Sequence, residues 1–328
     1  MEISLIIVLC LILAAEFVNG WNDAPNAIAT VVSTRVLSPA YAVMMSASLN
    51  ILGAILSGTA VAATIGTGII KPEAIGLSVV AAAVLSIGVW GALATVWGLP
   101  ISISHGLVAG LAGAGMANAG PSVLLWAGWR KVFIGLGFST LLGFIFALIM
   151  MALLTWIFRR TGPRTMRAIF NRAQLVSSAA MAFSHGSNDG QKFMGVFTLA
   201  LVLGGALPQF SVPIWVIVLC GTVMGSGTLI GGWKVVKTMG FGLTKLQSVQ
   251  GFAAETAAAT AIQIASFLGV PLSTTHTITT AIMGVGASRR LKAVRWVVGR
   301  NIVGAWIFTF PICAILGAVF DFIFKAIL

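Results

Sequence analysis

Long apolar blocks separated by short polar turns fill nearly the whole chain. A membrane-crossing helix needs about 20 consecutive apolar residues, and on that measure each half of the chain offers five apolar passes. They cover residues 3–30, 41–65, 74–97, 101–117 and 132–158, then 174–203, 212–233, 251–268, 272–288 and 296–324. The expected fold is an all-α, polytopic membrane protein. Two segments, 101–117 and 272–288, are short for a crossing, and the pass around residues 17–30 holds glycine, Pro25 and polar groups. Such segments are expected to be broken or re-entrant helices, which lipid tolerates only where protein or a water-filled cavity covers the freed backbone.

The polar interruptions repeat. Phe17-Val18-Asn19-Gly20-Trp21-Asn22-Asp23 returns as Phe183-Ser184-His185-Gly186-Ser187-Asn188-Asp189, 166 positions later. Gly53, Gly58, Val61, Thr64 and Gly66 return as Gly227, Gly232, Val235, Thr238 and Gly240, at an offset of 174. Gly98-Leu99-Pro100-Ile101-Ser102-Ile103-Ser104-His105 returns as Gly269-Val270-Pro271-Leu272-Ser273-Thr274-Thr275-His276, at an offset of 171, followed by Gly113/Gly284 and Gly115/Gly286. Three collinear matches at nearly constant offset mean a duplication. The expected parts are a first membrane repeat over 1–158, a basic link over 159–173 and a second membrane repeat over 174–328.

An odd number of passes per half inverts the second repeat relative to the first. With both termini outside, the cytoplasmic loops hold Arg35, the link arginines (Arg159, Arg160, Arg164, Arg167 and Arg172), Lys234, Lys237, Lys245, Arg289, Arg290, Lys292 and Arg295. The outside loops hold only Lys71, Arg130 and Lys131. Basic residues concentrate in cytoplasmic loops, so this orientation is the expected one. Inverted repeats around a midplane site are a recurrent plan of secondary transporters.

Composition agrees. Charged residues make up 8% of the 328 and hydrophobic ones 59%, with a mean hydropathy of +1.05, whereas a soluble domain carries about 25% charged residues. The net charge of +12 lies in short loops and not on a basic helix with stacking aromatics, so nucleic acid is excluded as a partner and membrane lipid is expected. The first residues lack the basic region of a cleaved signal peptide, so the first helix is expected to be retained. Cys10, Cys220 and Cys313 sit in apolar runs without metal-ligand spacing and read as small core residues.

The chemistry is concentrated where it is most costly. Of the seven acidic residues (Glu2, Glu16, Asp23, Glu73, Asp189, Glu255 and Asp321), Glu16, Asp23, Asp189 and Glu255 fall within expected spans. All three histidines, His105, His185 and His276, lie in the duplicated motifs. Intramembrane carboxylates cost about 2.5–3.5 kcal/mol or more and mark ion paths. Asp23 and Asp189, with Asn22 and Asn188, offer hard oxygens for a small cation such as sodium at an expected helix break; the alternative is that each Asp merely caps a half-helix. In the other motif, Gly then Pro then Ser/Thr signals a helix start, with Pro in the first turn. Free N–H groups and the positive dipole end there bind anions, and the hydroxyls add donors. Plain capping of two interior helices is again the alternative. Lys192 either reaches the anion or pairs with Asp189 one turn back. Glu16 and Glu255 are either proton or cation ligands or span-end carboxylates turned to the interface, and Gln191 is a further polar candidate.

Gly20-Trp21-Asn22-Asp23-Ala24-Pro25-Asn26 and Gly186-Ser187-Asn188-Asp189-Gly190-Gln191-Lys192 resemble the paired Gly-x-Asn-Asp signatures of the inorganic phosphate transporter (PiT) family, and Pro271-Leu272-Ser273-Thr274-Thr275-His276 resembles its Pro-x-Ser-Thr-Thr-His motif. The bacterial branch fits best. The resemblance implies a secondary active carrier that imports phosphate on a cation gradient, sodium favoured over proton, without an organic cofactor. It also implies a multi-pass protein of the inner (plasma) membrane, often a homodimer, and no enzyme. Asn22, Asp23, Asn188 and Asp189 would serve the coupling cation, with Glu255 added. Ser102, Ser104, His105, Ser273, Thr274, Thr275 and His276 would serve phosphate, with Gln191 and Lys192 added. One departure is Ile103, which offers no hydroxyl where the family carries threonine. The rival readings are a sulfate or other oxyanion permease of the same fold and, more remotely, an intramembrane aspartyl protease.

Overall fold

The computed structural model describes residues 2–71 and 74–327, so Glu73 lies outside the described residues. The first half folds as α1 (Ile3–Ser33), α2 (Pro39–Leu56), α3 (Ala60–Thr67), α4 (Leu77–Trp97), α5 (Ile103–Ala119) and α6 (Trp126–Ile157). The second folds as α7 (Pro163–Leu203), α8 (Ile214–Ile230), α9 (Trp233–Val236), α10 (Ser248–Phe267), α11 (Thr274–Ala287) and α12 (Trp296–Phe324). A π-helical turn, Lys237–Gly242, extends α9.

The helix order is the same in both halves, and the packing exchanges partners between them. α1 lies on α8 as α7 lies on α2; α5 packs α12 as α11 packs α6; α4 lies against α5 as α10 lies against α11. The duplicated glycines sit at these crossings. A Cβ on Gly227 would fall 2.1 Å from the carbonyl oxygen of Phe17, and one on Gly53 would fall 2.1 Å from that of Phe183. Gly113 and Gly284 meet the carbonyls of Ala314 and Phe144 in the same way. Without a side chain the backbones touch, which is how helices associate tightly where lipid removes the hydrophobic drive between them. Each repeat is thus completed by the other.

The ten expected passes are not equal. Among the described residues, five helices (α1, α2, α4, α6 and α12) are long and apolar enough to cross a membrane, and α8 with α9 and its π-turn makes a sixth bent by 65°. The expected pass over 41–65 is broken between α2 and α3. At 1.5 Å per residue, the 17 residues of α5 span about 26 Å, short of the roughly 30 Å hydrocarbon core; the 14 of α11 span about 21 Å. Both are short but continuous helices, each entered through a Gly-Pro turn, whereas the breaks within expected passes fall between α2 and α3 and at the α8–α9 bend.

The Asn-Asp segments differ from expectation. No break occurs there: α1 runs unbroken through Asn22, Asp23 and Pro25, and α7 through Asn188 and Asp189. Pro25 removes the hydrogen bond to the carbonyl of Trp21. That carbonyl and the proline ring lie against Gly232, at the α8–α9 bend, where a Cβ would come within 2.7 Å of the oxygen. Tertiary packing thus accommodates a proline that would otherwise end the helix.

Candidate functional site

The Gly-Pro-Ser motifs build two hairpins. Gly98 and Gly269 take the left-handed conformation, with φ of 75° and 64°, and close α4 and α10 as glycine does at helix ends. Pro100 and Pro271 lie in the turn ahead of α5 and α11, outside their first turns, which corrects the expected position of the proline. Ser102 and Ser273 are the N-caps, accepting from the backbone N–H of His105 at 3.3 Å and of His276 at 3.2 Å. Each cap spends an oxygen lone pair and leaves the hydroxyl proton free to donate. The N–H groups of the first turns have no intrahelical partner.

The two helix starts converge. Lys192 of α7 bonds the hydroxyl of Ser104, in the first turn of α5, and donates to the carbonyl of Leu272 ahead of α11 at 3.0 Å. The rings of His105 and His276 lie 4.9 Å apart, backed by Phe310 and Trp306 of α12. All four of their ring nitrogens are buried without a hydrogen-bond partner. Two positive dipole ends therefore meet in one buried place.

The carboxylates stand at the same place. Thr274 donates to Asp189 at 3.0 Å, and Thr275 donates to Asp23 at 3.1 Å. Ligand atoms of Asp23, His185 and Asp189 lie within 4.8 Å of one another, and Asp189 also pairs with Lys192. Asn22 donates to Thr95 at 2.7 Å, and its repeat mate Asn188 donates to Ser266 at 2.9 Å. These bonds hold the amides in place, and the oxygens Oδ1 of Asn22, Asn26 and Asn188 remain buried and unpartnered. Glu16, Asn19, Asp23, Asn26 and Thr30 recur every three or four residues, so they form one polar stripe along α1; none is more than 2% exposed. The site is closed to solvent.

Residues 19–168 and 159–317 each match the phosphate transporter family. The chain belongs to that family. It is 44% identical over 304 residues to a Rhizobium meliloti (strain 1021) protein named "Probable low-affinity inorganic phosphate transporter", covering 92% of this chain and 91% of the relative. A Bacillus subtilis (strain 168) protein of the same name is 38% identical, covering 99% and 98%. A solved structure described as "The sodium-dependent phosphate transporter" superposes with a TM-score of 0.93 at 25% identity, covering 100% of both chains. Membership in a family of membrane transporters sets the protease reading aside: the chain is a multi-pass membrane protein and not an enzyme.

Within this phosphate-transporter fold the structure sorts the expected residues. Ser102, Ser104, Ser273, Thr274, Thr275 and Lys192 come together with Asp23 and Asp189. Lys192 does what both alternatives asked, since it touches Asp189 and the first turn of α5. The oxygen of Gln191 accepts from the N–H of Val61 at 2.9 Å and its nitrogen donates to the carbonyl of Ser187 at 2.6 Å, which ties α7 to α3. Glu255 stands in a hydrogen-bonded network of its own. Its oxygens accept from Thr30 at 2.6 Å, from Gln174 at 3.0 Å and from Ser177, a network two turns along α1 from Asp23. Neither Glu255 nor Glu16 points to the interface, for both are fully buried. His185, Asn26, Thr95 and Ser266 had no expected role. Asn26 and His185 were legible in principle, each one turn from a motif aspartate; Thr95 and Ser266 were not, because only the fold brings them to Asn22 and Asn188.

The hydroxyl of Thr274 links the α11 start to Asp189. Thr274→Val keeps the shape and removes a donor to a charged group, a loss of about 1.5–3 kcal/mol. The unfolding midpoint of the purified protein is expected to fall accordingly, measured by thermal denaturation in detergent.

Proposed function

We propose that this protein imports inorganic phosphate across the plasma membrane in symport with a cation. One observation carries the reading: two converging helix starts, with the hydroxyl protons of the Ser102 and Ser273 caps free to donate and a positive dipole end suited to an oxyanion, stand against two carboxylates, which hold the hydroxyls of Thr274 and Thr275, and a single ammonium. The formal charge of Asp23, Asp189 and Lys192 together is negative. An anion therefore enters favourably only when a cation enters with it, which is the physical content of coupling. Ser102, Ser104, Ser273, Thr274 and Thr275 would hold the phosphate oxygens. Asp23, Asp189, Asn22 and Asn188 would face the cation. Sodium is favoured over a proton because three unpartnered amide oxygens exceed the need of a proton, and because the solved relative is named as sodium-dependent.

The partner exchange between halves supports inverted repeats over 1–158 and 174–328, with the link at the cytoplasmic face and both termini outside, as the basic loops require. A cavity of 610 Å³ lined by Thr34, Arg159, Arg167 and Gln247 would then open to the cytoplasm. Thr34 donates to Gln174 at 2.9 Å, and so joins that cavity to the Glu255 network. Exposed apolar faces such as Phe138, Leu141 and Ile145 of α6 and Phe308, Ile315 and Phe322 of α12 suit lipid, and a homodimer would draw on the same surface.

In proteoliposomes, labelled phosphate is expected to accumulate under an inward sodium gradient, with arsenate competing strongly and sulfate weakly. Sulfate outcompeting arsenate would make the protein an oxyanion permease of another specificity. Full uptake with sodium replaced by potassium at fixed pH, together with a response to a pH gradient, would make the proton the coupling ion.

A further inference from the structure

The two repeats bring the same parts to the centre with one exchange. At an offset of 166, Asp23 corresponds to Asp189 and Asn26 corresponds to Lys192. At an offset of 171, Ser104 corresponds to Thr275. The contacts follow the correspondence: Asn26 donates to Thr275 at 3.0 Å, and Lys192 bonds Ser104. The chemistry does not. Lys192 Nζ is surrounded by three oxygens, from Asp189, from Ser104 and from the carbonyl of Leu272 at 3.0 Å. Carboxylate, hydroxyl and backbone carbonyl are the ligands a bound alkali cation would take there. In the first repeat the corresponding place beside Asp23 holds only a neutral amide, and Oδ1 of Asn26 is buried without a partner.

We propose that the Lys192 ammonium is a built-in cation that permanently fills the second-repeat half of the cation centre, so that a single exchangeable cation binds, at the Asp23–Asn26 half. Asp189 is fully served: it pairs with Lys192, accepts from Thr274 at 3.0 Å and has Nε2 of His185 at 3.4 Å. Asp23 has Thr275 at 3.1 Å and no ammonium. Ile103 reinforces the difference. It stands where the second repeat has Thr274, and it offers Asp23 no hydroxyl; its side chain is packed beside Gly91 instead. The Asp23 carboxylate, which accepts from Thr275 and has no ammonium in contact among the described residues, and the unpartnered Oδ1 of Asn26 lie one turn apart on the same face of α1. A cation of sodium's class, taking oxygen ligands only, fits that half and is excluded from the other by a charge already in place.

The inference rests on the cation-coupled reading but is tested by binding and not by transport. Lys192→Asn copies the first repeat into the second and removes the fixed charge. The purified variant is expected to gain a sodium response: its unfolding midpoint rises more steeply with sodium than the wild type's, against choline at constant ionic strength. The Hill coefficient for sodium, bounded by the number of sites, is expected to rise from about 1 to about 2. If the single variant does not fold, Lys192→Gln, which also removes the charge and supplies an amide oxygen, is expected to gain the same second-site sodium response. A folded Lys192→Asn or Lys192→Gln protein with no added sodium response would overturn the proposal. So would a wild type that already shows a coefficient near 2. Absent phosphate uptake by the wild type would instead sink the carrier reading and leave these binding outcomes to be read as they stand.

Discussion

Asp189→Asn is expected to cost about 3–5 kcal/mol of stability, the range for breaking a buried ion pair by removing one partner, although Asp189 and Asp23 are repeat-related. The reason is Lys192, which is 1% exposed and whose carboxylate contact among the described residues is Asp189. With an amide at position 189 the ammonium keeps Ser104 and the carbonyl of Leu272 but has no counter-charge in a buried site. Little monodisperse protein is expected in detergent, with a much lower unfolding midpoint in whatever is recovered. Asp189→Asn/Lys192→Asn removes both charges and is expected to recover most of the loss, because the two residues act as a unit and their effects are not additive. A single variant as stable as the wild type would show that position 192 carries no trapped charge.

Two kinds of feature were legible before the fold was known. Asp23, Asp189 and the Ser/Thr helix starts stood out because polar groups inside apolar passes are too costly to be incidental, and their duplication implied a shared site. The turns that precede the short helices α5 and α11 were legible because glycine and proline act locally. What stayed hidden depended on long-range packing. α1 stays helical through Pro25 because Gly232, some two hundred positions away, makes room for the free carbonyl of Trp21. Glu255 looked like a partner of the motif aspartates because it is acidic and buried; its hydroxyl and amide partners, Thr30, Gln174 and Ser177, come from two other helices. The bond between Gln191 and the start of α3 joins residues 130 positions apart and has no local signal. The difference between Asn26 and Lys192 was visible as a letter change, but its meaning lies in the three oxygens the fold sets around the ammonium.

Asp23→Asn, by contrast, is expected to leave a folded protein that does not couple. The substitution keeps the size, and its amide oxygen still accepts from Thr275, which bonds Asp23 Oδ1 at 3.1 Å. It removes one of two carboxylates whose oxygens approach within 4.8 Å, and so relieves repulsion between like charges. A buried amide is also cheaper than a buried carboxylate, so the unfolding midpoint in sodium-free buffer is expected to match or exceed the wild type's. The cation loses its one charged ligand that no lysine neutralises. Applying the lower end of the buried-pair range, about 3 kcal/mol, sodium affinity falls more than about a hundredfold. Sodium-driven phosphate uptake is then expected to drop to background in proteoliposomes, and sodium-dependent thermal stabilisation is expected to vanish. The anion side suffers less directly, because the helix-start N–H groups and the hydroxyls of Ser102, Ser273 and Thr274 are untouched. Phosphate binding without sodium is expected to persist or improve, since the removed charge repelled the anion. A variant that still accumulates phosphate against its gradient on sodium alone would place the coupling cation away from Asp23, and the polar stripe of α1 would then have to be searched at Glu16, the other carboxylate on that face with an unpartnered oxygen.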